Sequence, residues 1–153
     1  MVNRPKQKGT SFETAVVRYM RERLGDDRIE RRALHGSKDL GDLHGIYAHG
    51  FEGIAECKSY AGTGWNQPAN LRRWREETLD ERGNADANFA LLIVKVPGKG
   101  DTRMGETIVH LTLGDLAAIA RGVVVDTGAA GAWVQMTLAE CCDLIQGDTD
   151  DRL

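Results

Sequence analysis

The chain has 153 residues, of which 41% are hydrophobic and 28% charged, and its formal net charge is −3. Such a length and balance describe one globular domain with a core of real size, and exclude a disordered or collagen-like chain. No apolar run approaches the ~20 residues that cross a bilayer, and no apolar signal segment opens the chain, so a membrane protein is not expected.

Residues 1–9 are polar and basic and read as a flexible arm, followed by a single domain over 10–146. The charge is unevenly spread. Ten Lys/Arg lie between Met1 and Lys38 against six acids counted through Asp39, a local balance of +4, while the stretch from Leu138 onward carries −4. A basic front can present a phosphate-binding face inside a mildly acidic average. A helix is expected from Thr10 or Ser11, because Phe12, Val16, Met20 and Leu24 recur every four residues and Gly25 follows. Thr10-Ser11-Phe12-Glu13 has the form of a capping box, which makes Glu13 on its own a helix cap. Arg28 to Leu34 reads as a strand bearing Arg31 and Arg32. His35 to Gly41 is a turn in which Ser37 is either a phosphate or metal-water contact or an ordinary turn serine.

Asp42 to Ile46 and Gly53 to Lys58 then alternate as the two strands of a hairpin. With the turn centred on Gly50, Asp42 lies opposite Lys58 and His44 opposite Glu56. Side-chain alternation places Asp42, Glu56 and Lys58 on one face and Ala55 and Cys57 on the other. Two carboxylates and an ammonium converging there suit a hard divalent cation such as Mg²⁺ or Mn²⁺, which binds oxygen ligands and activates water against a phosphodiester. Asp39 competes with Asp42 for the metal role. Asp42 is preferred because it lies on the strand and on the shared face. Beside such a site Arg31 and Arg32, with Lys38, become phosphate contacts.

Ser59 to Pro68 has the composition of a mobile segment. Ala69 to Arg82 reads as a charged helix closed by Gly83, whose Arg72, Arg73 and Arg75 either track a DNA backbone or form a solvated face. Asn88 to Val96 contains the most apolar strand, FALLIVKV, and a Gly-rich loop without a Walker pattern follows to Gly105. Glu106 to Thr112 reads as a strand and Leu113 to Arg121 as a helix. Gly122 to Thr127 and Ala132 to Met136 are expected to pair through a Gly128–Gly131 turn. A last helix over Thr137 to Gln146 opens on the capping box Thr137-x-x-Glu140, and residues 147–153 form an acidic tail. Three cysteines, two of them adjacent, have neither zinc spacing nor an even disulfide count, which fits a reducing, cytoplasmic setting.

Gly9-Thr10-x-Phe12-Glu13 opening a helix, Arg31-Arg32, His35-Gly36-Ser37, Gly41-Asp42-Leu43 and Glu56-Cys57-Lys58-Ser59 together resemble the archaeal-type Holliday-junction resolvases of the PD-(D/E)XK nuclease superfamily. The resemblance covers roughly Lys8 to Gly98, leaving residues 99–146 as a C-terminal extension, and Gly41 stands where a proline is usual. It implies an α/β, restriction-endonuclease-like fold with a central mixed sheet flanked by helices. It also implies Glu13, Asp42 and Glu56 as metal ligands, Lys58 as the catalytic lysine and Ser37 as an active-site contributor. The expected activity is Mg²⁺- or Mn²⁺-dependent cleavage of four-way or other branched DNA by a homodimer. The alternatives are another DNA nuclease of the superfamily, of restriction or repair type, and a silent DNA-binding module that retains the fold.

Overall fold

The computed structural model describes residues 4–33 and 36–147, so residues 1–3 of the expected arm, Leu34, His35 and residues 148–153 of the acidic tail lie outside the described residues. Helix α1 (Arg4–Leu24) leads into β1 (Glu30–Arg31), β2 (Leu43–Ala48), β3 (Phe51–Lys58), α2 (Pro68–Asn84), β4 (Phe89–Val94), β5 (Ile108–Thr112), α3 (Leu113–Arg121), β6 (Trp133–Thr137) and α4 (Leu138–Gln146). The strands form one six-stranded sheet in chain order. Among the described residues only β3 and β4 run parallel, joined by α2 as the crossover, so the sheet is mixed and flanked by helices.

Alternation along β3 and β4 sorts the two faces. Ala55, Cys57, Phe89, Leu91 and Ile93 join Phe12, Val16 and Met20 of α1, Ile119 of α3 and Cys141, Cys142 and Ile145 of α4 in the main core. Leu92 and Val94 point the other way, onto Trp74 of α2 with Trp65 and Leu71 beside it. Glu56 and Lys58 neighbour Leu92 and Val94 in the parallel register, which places them on the α2 face. Residues 99–146 complete the same core, and Arg23 of α1 bonds Asp143 of α4 at 2.6 Å. All three cysteines are free and buried. No helix among the described residues is long and apolar enough to cross a membrane.

Several local expectations change. The first helix begins at Arg4, so residues 4–9 are helix rather than a separate arm, and Glu13 is an interior helical residue. Thr10 caps nothing there; its carbonyl accepts a bond from the Thr14 hydroxyl at 2.9 Å, within the helix. The strand expected over Arg28 to Leu34 shortens to two described residues. Gly83 lies inside α2, where space around it is open, and does not end the helix. Ser59 to Pro68 contains a 3-10 turn at Gly62–Asn66, held by Asn70 Nδ2 on the Gly64 carbonyl. The hairpin expected between Gly122–Thr127 and Ala132–Met136 is absent. Gly128–Gly131 is a 3-10 turn, Val123 to Val125 are exposed, and β6 pairs with β5 instead, which places its backbone on an edge already formed.

The hairpin register changes twice in the same direction, which restores the face of Asp42 but sets it opposite Glu56 rather than Lys58, while His44 faces Glu30. His49 and Gly50, both at positive φ, make a two-residue turn, so Ala48 faces Phe51 and Ile46 faces Gly53. That is one residue away from a turn centred on Gly50 and alone would turn Asp42 to the opposite face. A bulge between Leu43 and Ile46 adds the second residue, Leu43 faces Ala55, and Asp42 returns to the face of Glu56. Gly45 in the bulge has φ +77°, and a Cβ there would overlap the Arg28 carbonyl oxygen. Gly45→Ala should therefore lower stability by roughly 2–4 kcal/mol in urea unfolding, the sum of a left-handed backbone and a backbone clash. Gly83→Ala in open helix should be neutral or raise it by up to ~1 kcal/mol. Equal effects of the two substitutions would remove the bulge from its role.

Candidate functional site

Asp42 is held by three bonds before its side-chain chemistry begins. Its amide donates to the Ala55 carbonyl (3.0 Å), its carbonyl accepts from the Arg32 amide (2.7 Å), and its Oδ2 accepts from the Cys57 amide (2.8 Å). The bulge brings this carboxylate directly against Glu56, where the expected register put the two diagonally apart. Glu56 is only 6% exposed. Lys58 Nζ lies 3.6 Å from Glu56 Oε1 and 3.0 Å from Glu77 Oε2 of α2. From the opposite layer, Glu13 of α1 reaches Asp42, while Arg31 Nε bonds Glu13 Oε2 at 3.0 Å and ties β1 to the helix. Asp42, just before the start of β2, is thus the meeting point of acids from both faces.

A second set of contacts leads away from Asp42 on the α2 side. Glu81 of α2 is 3% exposed, and Asp39, Glu56 and Glu81 each present an oxygen within 4.8 Å of the others. Asp39 belongs to the loop before β2. That loop is fastened by Asn84 Nδ2 on the Asp39 carbonyl (3.0 Å) and by the Gly41 amide on Asp39 Oδ1 (3.0 Å). Gly41 has φ +91°, which proline cannot adopt, and proline would also lack the N–H given to Asp39. A proline is excluded at this position by the conformation that orients Asp39.

Crowding so many carboxyls holds protons on them. Burial first, then the charge of Glu56, raises Asp42 to about 7. Burial first, then its contact with Glu81, raises Glu56 to about 9. Burial likewise raises Glu81 to about 7, and burial and Asp42 raise Glu13. Burial alone would lower Lys58, but Glu56, Glu77 and Glu81 more than offset it and keep the ammonium charged.

Asp42 therefore meets Glu56, Lys58 stands beside Glu56, and Glu13 reaches Asp42 alone. Among the described residues the three carboxyls whose oxygens lie within 4.8 Å of one another are Asp39, Glu56 and Glu81, so Asp39 and not Asp42 shares that spacing with Glu56. Ser37 and Lys38 are exposed on the loop before Asp39 and make no hydrogen bond or ion pair to another described residue. Arg32 donates its backbone amide to Asp42, and its buried Nε has no partner among the described residues. Arg72 and Arg73 are exposed on α2, whereas Arg75 is half-buried over the Trp133 ring and bonds His110 Nδ1 at 3.0 Å. Sequence reasoning missed Glu77 and Glu81. The available signal was positional: Leu71, Trp74, Thr78 and Glu81 fall on one helical stripe, so Glu81 is a carboxylate on an inward face. Scans of protein families, curated proteins and solved structures found no match to this chain. Glu13, Asp42 and Glu56 offer only carboxylate oxygens, the donor type of a hard divalent cation, but the three do not form a set with oxygens all within 4.8 Å of one another.

The pH dependence follows from these acids. Their native affinities for protons exceed those of the unfolded chain, so they favour folding fully below about pH 4 and progressively less as pH rises through about 7 to 9. Each proton retained by the native state and lost by the unfolded chain contributes a slope of about −1.4 kcal/mol per pH unit. In chelator, melting temperature should fall between pH 5 and pH 9, and Glu56→Gln should flatten that fall and be the more stable protein at pH 8. Glu13, Asp39, Asp42, Glu77, Glu81, Lys58 and Arg31 all face this cluster and stay in place in that variant. A flat melting curve for both proteins would contradict the site's electrostatics.

Proposed function

We propose that the protein is a divalent-cation-dependent DNA endonuclease acting on branched DNA, most specifically a Holliday-junction resolvase working as a homodimer. The observation that carries the reading is the placement of Asp42, Glu56 and Lys58 together on β2 and β3, with Glu13 reaching Asp42 from α1. Asp42 and Glu56, with Glu13, would hold Mg²⁺ or Mn²⁺, which when bound supplies charge neutralisation and an activated water. Lys58 keeps its proton beside Glu56 and stands as a fixed cation for the charge that develops on the phosphate. Arg31 links Glu13 to β1 and sets how far that acid can move toward Asp42. Arg72, Arg73, Lys38 and Ser37 are exposed and supply backbone contacts, which carry affinity without sequence preference. A two-fold dimer offers paired sites for symmetric cuts about a branch point.

Labelled four-way junction, nicked, flapped and linear DNA incubated with and without Mg²⁺ test this directly. Paired cuts near the branch point are expected, with at least tenfold tighter binding to the junction than to linear duplex, about 1.4 kcal/mol. Asp42→Asn and Glu56→Gln should abolish cleavage and leave DNA binding, while Glu13→Gln should lower the rate severely. Cleavage of all four substrates at similar rates would favour a general nuclease of the same superfamily, and binding without cutting in either metal would favour the silent module.

A further inference from the structure

We propose that Asp39, Glu56 and Glu81 form a second divalent-cation site, on the α2 side of Glu56, with Glu56 shared between it and the Asp42 side. The proposal deepens the function proposed above and rests on that reading only for the ion at Asp42; the second ion is a property of Asp39, Glu56 and Glu81 alone.

The carboxyls come from three separate pieces of chain. Glu56 belongs to β3, Glu81 to α2, and Asp39 to the loop that Asn84 fastens onto the same helix. Their nearest oxygens lie within 4.8 Å of each other, and two ligands across a cation at bonds of about 2.1–2.4 Å are about 4.2–4.8 Å apart. Independently of that spacing, Glu56 Oε2 and Glu81 Oε2 are buried with no hydrogen-bond partner among the described residues, in side chains 6% and 3% exposed. An orphaned buried polar atom costs about 1–3 kcal/mol, so two in adjoining carboxyls call for a partner, which a cation or a shared proton would supply.

No described basic side chain supplies it, and the two carboxyls otherwise meet only as acids, with a shared proton as the competitor to an ion. Lys58 approaches the other oxygen of Glu56 and makes its shorter contact to Glu77. Arg82, next to Glu81, is turned away onto Asp115 at 2.9 Å. Arg73 pairs with Glu77. The cation chemistry is that of a hard ion with oxygen ligands, Mg²⁺, Mn²⁺ or Ca²⁺, and the exposure of Asp39 leaves the site open to water on one side. Glu56 then touches both sites, through its contact with Asp42 and its contact with Glu81.

Titration of the full chain, stripped with chelator and free of DNA, with Mn²⁺ alone tests this by calorimetry and by the paramagnetic resonance of free Mn²⁺. Wild type is expected to take up two ions. Glu81→Gln should take up one, and Asp42→Asn should also take up one, at the other site. Asp39→Asn keeps an oxygen for the Gly41 amide and should weaken one of the two by roughly tenfold or more. It serves in place of Glu81→Gln should that variant not fold. A single ion in wild type, or unchanged uptake in both Glu81→Gln and Asp39→Asn, would overturn the proposal and leave Glu56 and Glu81 as a pair sharing a proton. Two ions lost one by one, without cleavage of any DNA, would uphold the second site and reject the nuclease. Cleavage with a single bound ion would do the reverse.

Discussion

In a β-hairpin every one-residue slip exchanges the two faces, and the placement of Asp42 depends on that parity. The two-residue turn at His49 and Gly50 would send Asp42 to the α1 side, into the core that Leu43 occupies instead. The bulge at Gly45 restores it to the face of Glu56 and locks it there through the Ala55 carbonyl and the Cys57 amide. Without the bulge, Leu43 would be the residue facing Glu56. The acid pair and its pairing with Lys58 depend on one residue of extra backbone.

The two faces of the sheet divide the work. On the α1, α3 and α4 side, apolar side chains from every layer form one large core, and this burial holds the domain together. On the α2 side the apolar cluster is small, and Glu56, Lys58, Glu77 and Glu81 take up the remaining interface. Carboxylates that would be expensive in the main core are tolerated here because the opposite face supplies the stability. Asp42 lies just before the first residue of β2, where the end of the strand is open to both layers, which is how Glu13, anchored in the main core's helix, meets it.

The C-terminal third continues the same construction. Strands β5 and β6 extend the sheet, and α3 and α4 close the core over α1, each opened by a reciprocal capping box, Thr112 with Asp115 and Thr137 with Glu140. Arg75 joins α2 to this extension. Stacked on Trp133 and bonded to His110, it holds a buried imidazole whose affinity for protons is lowered to about 4 by burial and by the guanidinium. The extension therefore braces the helix that carries Glu77 and Glu81.

The amino-acid sequence by itself determined the elements whose signals are local. The four-residue stripe of the first helix, the apolar run of β4, the Thr137 cap of α4 and the helical span Leu113–Arg121 need only neighbours along the chain, and they appear where expected. Alternation likewise assigned Glu56 and Lys58 to one face and Ala55 and Cys57 to the other, because a strand has a period of two. What only tertiary structure decided involves partners distant in sequence. The capping box at Thr10 yielded to a helix that starts earlier, and the expected hairpin near Gly128 yielded to an edge of β5 that is invisible locally. The bulge depends on Arg28 approaching Gly45, and the acid cluster depends on α2 laying Glu81 beside a strand 25 residues earlier. Spacing along the chain can show that an acid lies on a helix's inward face. Which other acids it meets there is set by how the helix packs on the sheet, a matter of the whole core rather than of any one segment.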